Sequence, residues 1–210
     1  MNVAIGKKLA RLTTNVVTRN PRAWRLFRPV MEWQFGQLAP QWDEIARASA
    51  DHLAAHGLAL DALESPPRRV LDLGTGTGAG AFALAARFPD AEVVGFDLAP
   101  EMIEHANQKL SPELAQRVRF EVGDASSLPY ESASFDLASH VNMIPFFDEL
   151  ARVLAPGGHA VFSFSGGAET PIYVPFERLR AELSRRGFAD FAEFQSGRST
   201  ALLARRATSS

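Results

Sequence analysis

"VLDLGTGTGAG", residues 70–80, is an apolar run carrying one carboxylate, Asp72, and then four glycines alternating with small residues. Glycine gives up more backbone entropy on folding than any other residue, so the alternation calls for a structural reason. A tight turn with a ligand lying against its backbone supplies one. Placed between a buried strand and a helix N-terminus, such a turn is the binding site of an open parallel sheet.

The flanking pattern supports that placement. "RRVLDLG" reads as a strand and "GAGAFALAARFP" as a helix ending before Pro89. "AEVVGFDL" is a second strand, and "APEMIEHANQKL" a helix with Pro100 in its first turn. "RVRFEVGD" and "FDLASHV" follow as strands, then a short helix "FFDELARVL" and a fifth strand "GHAVFSFSG". "VPFERLRAELSRRG" is a helix, and "FADFAEFQSG" and "STALLARR" are closing strands. Strands alternating with helices of this length build a parallel sheet covered on both faces. The few residues around Gly197 force the last two strands to be antiparallel.

Residues 1–65 differ. They read as mostly helical, and all three tryptophans lie there, among Trp24, Phe27, Trp33, Phe35 and Trp42. This gives two expected units: a helical, aromatic cap over 1–65 and an α/β domain over 66–210, joined by "ESPPRR". The chain has 210 residues and no cysteine, which excludes disulfides and thiolate chemistry. No metal site is expected. No apolar run has the ~20 residues of a membrane span. Residues 1–30 hold seven basic residues and no acid, whereas the rest carries 15 basic against 24 acidic residues. An acidic body argues against extended nucleic-acid binding.

Two cofactor classes use a glycine turn of this kind. The nicotinamide fingerprint G-x-G-x-x-G/A is matched by Gly74, Gly76 and Ala79. Asp72, two residues before Gly74, would repel a pyrophosphate and suit an ammonium group. Asp97 ends the second strand, where a carboxylate accepts hydrogen bonds from ribose hydroxyls. Asp124, in "EVGDAS", ends the third, where it can accept from an adenine amino group. "RVLAPGG" (152–158) joins a helix to the fifth strand through a Pro-Gly-Gly turn.

With D-x-G-x-G-x-G at Asp72 to Gly78, the acid at Asp97, "GDA" at 123–125 and "RVLAPGG" in order, the chain from about Trp33 to Arg206 resembles the class I S-adenosylmethionine-dependent methyltransferases of small-molecule type. "FGQLAPQWDEIA" (35–46) is similar to the segment preceding the sheet in relatives of ubiquinone and menaquinone biosynthesis, with Trp42 where tyrosine is common. The resemblance implies a Rossmann-like, doubly wound seven-stranded sheet with its last strand antiparallel. It implies S-adenosyl-L-methionine as cofactor. Asp72 would bind the methionine amino group, with Gly74, Thr75, Gly76 and Gly78 forming the turn. Asp97 would hold the ribose, Leu98 would pack on adenine, and Asp124 and Ala125 would edge the adenine. The implied activity is methyl transfer to a small aromatic or lipophilic acceptor. A binding or regulatory protein on the same fold is the alternative.

Between the fourth strand and the R-V-L turn the chain is shorter than the family pattern by about two helical turns. Either the acceptor pocket is open there, or the aromatic N-terminal segment fills it. "NMIPF" (142–146) does not match the pattern of nucleic-acid amino methyltransferases. His140 is the histidine nearest the expected chemistry and a candidate general base. Trp42, Thr170, Tyr173 and Phe176 are candidate acceptor contacts.

The basic start carries Ile5, Leu9, Leu12 and Val16 at i, i+4, i+7 and i+11, with Lys7, Lys8 and Arg11 off that stripe. The stripe could pack on the protein's own sheet, pair with a second subunit as a homodimer, or lie in an anionic membrane surface. An acid-free start also resembles a transit peptide. The expected location is the cytoplasm, with peripheral membrane contact through residues 1–30 left open.

Overall fold

The computed structural model describes residues 3–47 and 53–208. Its elements run α1 (Val3–Val17), α2 (Trp24–Leu38), α3 (Trp42–Arg47), α4 (Ala54–Asp61), β1 (Arg69–Leu73), α5 (Ala79–Arg87), β2 (Glu92–Asp97), α6 (Pro100–Gln108), β3 (Val118–Val122), β4 (Phe135–Val141), α7 (Phe147–Val153), β5 (Leu154–Phe164), α8 (Phe176–Ser184), β6 (Phe188–Ser196) and β7 (Ser199–Arg206). The seven strands form one sheet in the order β3-β2-β1-β4-β5-β7-β6. β1 to β5 are parallel, and β7 runs antiparallel between β5 and β6.

β1 is an interior strand, between β2 and the central β4. Its Val70, Leu71 and Leu73 are buried, as a strand covered on both faces requires. One face holds Phe96, Phe135, Phe162 and Phe164 under α7 and α8, joined at one end by Trp24 and Met31 of α2. On the other, Ala55, Ala59 and Leu60 of α4 and Ala81, Leu84 and Ala85 of α5 cover Val70, Val93, Leu137 and Val161. α4 thus packs on β5, β6 and β7, although it lies in the segment expected to be a separate cap. The Pro-Gly-Gly turn also sits differently from its expected place before β5. β5 starts at Leu154, and the turn interrupts its pairing, with Phe135 opposite Leu154 and Leu137 opposite His159.

The expected stripe on α1 is not the face turned inward. Gly6, Ala10, Thr13, Thr14 and Val17 are buried, while Leu9 and Val16 are half-buried and Leu12 is 54% exposed. The side chain of Ile5 lies outside the described residues. Among the described residues no helix is long and apolar enough to cross a membrane.

Candidate active site

Strand order reverses between β1 and β4, and ligand sites in open α/β sheets lie at the carboxyl ends of strands at such a point. A cavity opens there. Gly74 and Gly76 line it after β1, Asp97 and Leu98 at β2, and Gly123 and Ala125 after β3. Val141, Asn142, Met143 and Ile144 line it at β4, and Ile172 beyond β5.

The glycine loop is built for close approach. Gly76 has φ +54, and a Cβ there would lie 2.8 Å from Trp42 Nε1. Gly78, at φ +89 and ψ 4, caps α5 in the left-handed conformation open to glycine. Asp97 ties the loop down: its Oδ2 accepts from Gly76 N at 2.8 Å and its Oδ1 from Ala99 N at 3.0 Å. Burial holds its carboxyl above the ordinary carboxylate range, against the opposing effect of these amides. Each oxygen keeps a lone pair for a ligand, so Asp97 fits a ribose diol in a cavity it lines.

Asp72 is engaged within the protein. It does not line the cavity. Its Oδ2 accepts from Thr75 Oγ1 at 2.7 Å and its Oδ1 from Ser139 Oγ at 2.9 Å. Ser139 Oγ lies 3.5 Å from His56 Nε2, and His56 Nδ1 lies 2.9 Å from Ser163 Oγ. The acid therefore belongs to a buried polar chain running from the glycine loop through the sheet to α4. Burial pushes Asp72 up to about 6, partly offset by the two hydroxyls and raised again by Asp97. Burial brings His56 down to about 4. Thr75, whose hydroxyl is spent on Asp72, also lies off the cavity wall.

Asp124 is likewise claimed by the protein. Its Oδ1 accepts from Trp24 Nε1 at 2.9 Å and from Ser126 N at 2.8 Å, and Arg28 lies 3.6 Å from Oδ2. Gly123 and Ala125 line the cavity on either side of it. Trp24→Phe keeps a ring against Phe146 and removes this donor, and is expected to lower stability by about 1.5–3 kcal/mol in urea unfolding. An unchanged midpoint would show that water replaces the indole.

The N-terminal segment supplies the missing wall. Trp24, Met31, Phe35 and Trp42 line the cavity, and Trp24 meets Phe146 edge to face at 5.3 Å. The short β4–α7 connection is therefore covered by the cap, the second of the two expected outcomes. Thr77 of the loop donates to Asp43, which also pairs with Lys109 at 3.0 Å, fixing α3 over the glycines.

Of the expected acceptor contacts, Trp42 lines the cavity. Thr170 is buried, its Oγ1 accepting from Gly166 N, and Tyr173 and Phe176 pack on Phe164. Ile172, between them, is the residue that reaches the wall. His140 is not on the wall. It is 1% exposed and stacks on Phe162 at 4.6 Å. Burial, aided by His56, brings it down to about 3, so it stays neutral as a packing residue. Asn142 is the polar residue the sequence reading missed. It sits at φ +53, with Nδ2 donating to Ser165 Oγ and Oδ1 accepting from Ser165 N, both at 2.9 Å.

Comparison with known proteins agrees with this geometry. Residues 70–158 match the family described as "Methyltransferase domain". The chain is similar to the demethylmenaquinone methyltransferase of Deinococcus radiodurans, with 40% identity over 137 residues covering 60% of this chain and 56% of that protein. It is 31% identical over 185 residues to the trans-aconitate 2-methyltransferase of Methylobacterium nodulans, covering 79% of this chain and 66% of that one. The chain thus spans little more than half the length of the Deinococcus relative. A solved structure of an S-adenosyl-L-methionine-dependent methyltransferase from Methanococcus maripaludis superposes with a TM-score of 0.66 at 20% identity, covering 83% of this chain and 94% of that one. A seven-stranded sheet with β7 antiparallel, a glycine loop after β1 tied to Asp97 at the end of the neighbouring β2, and these matches together identify residues 70–158 as a methyltransferase domain of the kind found in S-adenosylmethionine-dependent methyltransferases.

Proposed function

We propose that the protein methylates a small, largely apolar acceptor that enters the cavity with its nucleophile already ionised or carbon-centred. The observation carrying this reading is the wall itself. Apart from Asp97 and Asn142, its lining side chains are aromatic, aliphatic or thioether: Trp24, Phe35, Trp42, Met143, Ile144 and Phe146 among them. Such a wall suits an aromatic or lipophilic ligand. Among the described residues it presents no histidine, lysine or tyrosine to take a proton on the acceptor side.

The physics favours that pairing. Bound S-adenosylmethionine supplies a methyl group on a cationic sulfur. Attack by an anionic nucleophile forms one bond, breaks the carbon–sulfur bond and leaves two neutral products. A reaction that destroys charge is helped by an apolar, water-poor site, since the ionic reactants lose hydration before the transition state is reached. The protein then has to align and desolvate rather than exchange protons. Asp97 and the glycine loop would hold the cofactor. Trp42 and Asn142 would set the acceptor's angle of approach. The relatives named for demethylmenaquinone and for trans-aconitate span apolar and polyanionic acceptors, and the aromatic wall supports the former class.

A series of substituted phenols and hydroquinones of differing acidity tests the reading, with formation of S-adenosylhomocysteine as the readout. The pH midpoint of kcat/KM is expected to follow each acceptor's own pKa. One midpoint shared by all acceptors would identify a base on the protein and sink the proposal. Binding of S-adenosylhomocysteine without turnover on any acceptor would favour a binding protein on the same fold.

A further inference from the structure

We infer that the outward faces of α1 and α2 dock the protein on an anionic bilayer surface. A helix that serves only its own core turns its large apolar residues inward. α1 turns mainly small and hydroxyl side chains inward, burying Gly6, Ala10, Thr13, Thr14 and Val17, and leaves Leu12 outward between half-buried Leu9 and Val16. α2 carries a second apolar row outside its core-facing one: Leu26 is 81% exposed and Trp33 54%, two turns apart and opposite buried Trp24 and Met31. These are three of the most exposed large apolar side chains among the described residues.

Charge selects the occupant. Lys7, Lys8, Arg19, Arg22 and Arg25 are exposed and make no ion pair among the described residues. An anionic headgroup layer complements them, and Leu26 and Trp33 suit its boundary with the acyl chains. A second copy fits poorly, because an isologous contact would set these cations against themselves. The platform is held firmly from behind. Arg11 donates to the carbonyls of Ala168 and Thr170 at 2.9 and 2.8 Å, and Arg178 to that of Thr18 at 2.7 Å. α2 also separates this face from the cavity, since Trp24, Met31 and Phe35 line the site from its inner side.

The full chain is mixed with phosphatidylcholine vesicles with and without phosphatidylserine. It is expected to sediment with the phosphatidylserine vesicles at low salt and to be released at high salt. Trp33 should shift its emission to the blue in a way that Trp33→Phe removes. Leu26→Ser/Trp33→Ser and Arg22→Glu/Arg25→Glu should each weaken binding at least about tenfold. Both should keep the thermal midpoint and S-adenosylhomocysteine affinity of the parent, because none of these residues touches the core or the cavity. No sedimentation with phosphatidylserine vesicles at low salt overturns the proposal, as does binding that neither variant weakens. A dimer in sedimentation velocity that Leu26→Ser/Trp33→Ser dissociates would assign the face to a second copy and overturn it equally.

Discussion

Moving the folded protein from pH 7 to pH 5 is expected to cost about 3 kcal/mol of stability. His56 and His140 drive the loss. Their folded pKa values, about 4 and about 3, lie below the unfolded value of 6.5. Between the two limits the unfolded chain takes up protons that the native state refuses, so stability falls as pH falls through 6.5. Each histidine contributes about 2 kcal/mol by pH 5. Asp72 and Asp97 act in the opposite sense, burial holding both carboxyls above the unfolded value; for Asp72, at about 6, the penalty is largest above pH 6 and is relieved on acidification by about 1 kcal/mol at pH 5. Urea unfolding at the two pH values measures the difference. His140→Leu removes one of the two drivers and should leave a loss of about 1 kcal/mol, with methyl transfer retained because the residue is off the cavity wall. A midpoint that does not move between pH 7 and pH 5 would contradict the buried, neutral placement of both rings.

Gly76→Val should reduce affinity for S-adenosylhomocysteine by about 100-fold or more, from a β-branched residue at positive φ and a displaced Trp42. The Cβ would lie 2.8 Å from the Trp42 indole nitrogen, on the rim where loop and cap meet. The strained turn would also weaken the Gly76–Asp97 hydrogen bond. Titration calorimetry gives the affinity, and near-ultraviolet circular dichroism reports whether the fold survives. Gly57→Ala is the control. That glycine lies in α4 with nothing within 4 Å of a Cβ, so alanine should leave affinity unchanged and stabilise the helix by about 1 kcal/mol. Wild-type affinity in Gly76→Val would mean that the cofactor sits elsewhere.

The strand ends were legible because a parallel sheet carries all its carboxyl ends to one side. Reading "VLDLG", "GFDL" and "GDA" as strand ends was enough to bring Gly74, Asp97 and Ala125 to one cavity. Spacing does not say which way a side chain turns, however, so the protein partners of Asp72 and Asp124 could not be read from it. Asp72 sits beside Ser139 in the β1–β4 register and shares its face with α4. His140, one residue on, points to the opposite face, into the packing of Phe162. Trp24, which donates to Asp124, and His56, which reaches Asp72 only through Ser139, come from helices whose docking no local pattern encodes. The same holds beyond β5, where Ile172 meets the cavity and its neighbours Thr170 and Tyr173 do not.

β7 is the last strand in chain order and yet an interior one, with β5 on one side and β6 on the other. During synthesis β6 emerges first and finds no strand to pair with. The β5 edge stays open over the same interval. Two of the six strand pairings therefore close in a single late event, when Ser199–Arg206 slots between two strands already made. Until then the nascent chain exposes a bare edge at Phe162 and Phe164, the kind of edge that recruits other chains. This fold's hazard of misassembly thus lasts until β7 has been made, far in sequence from the glycine loop.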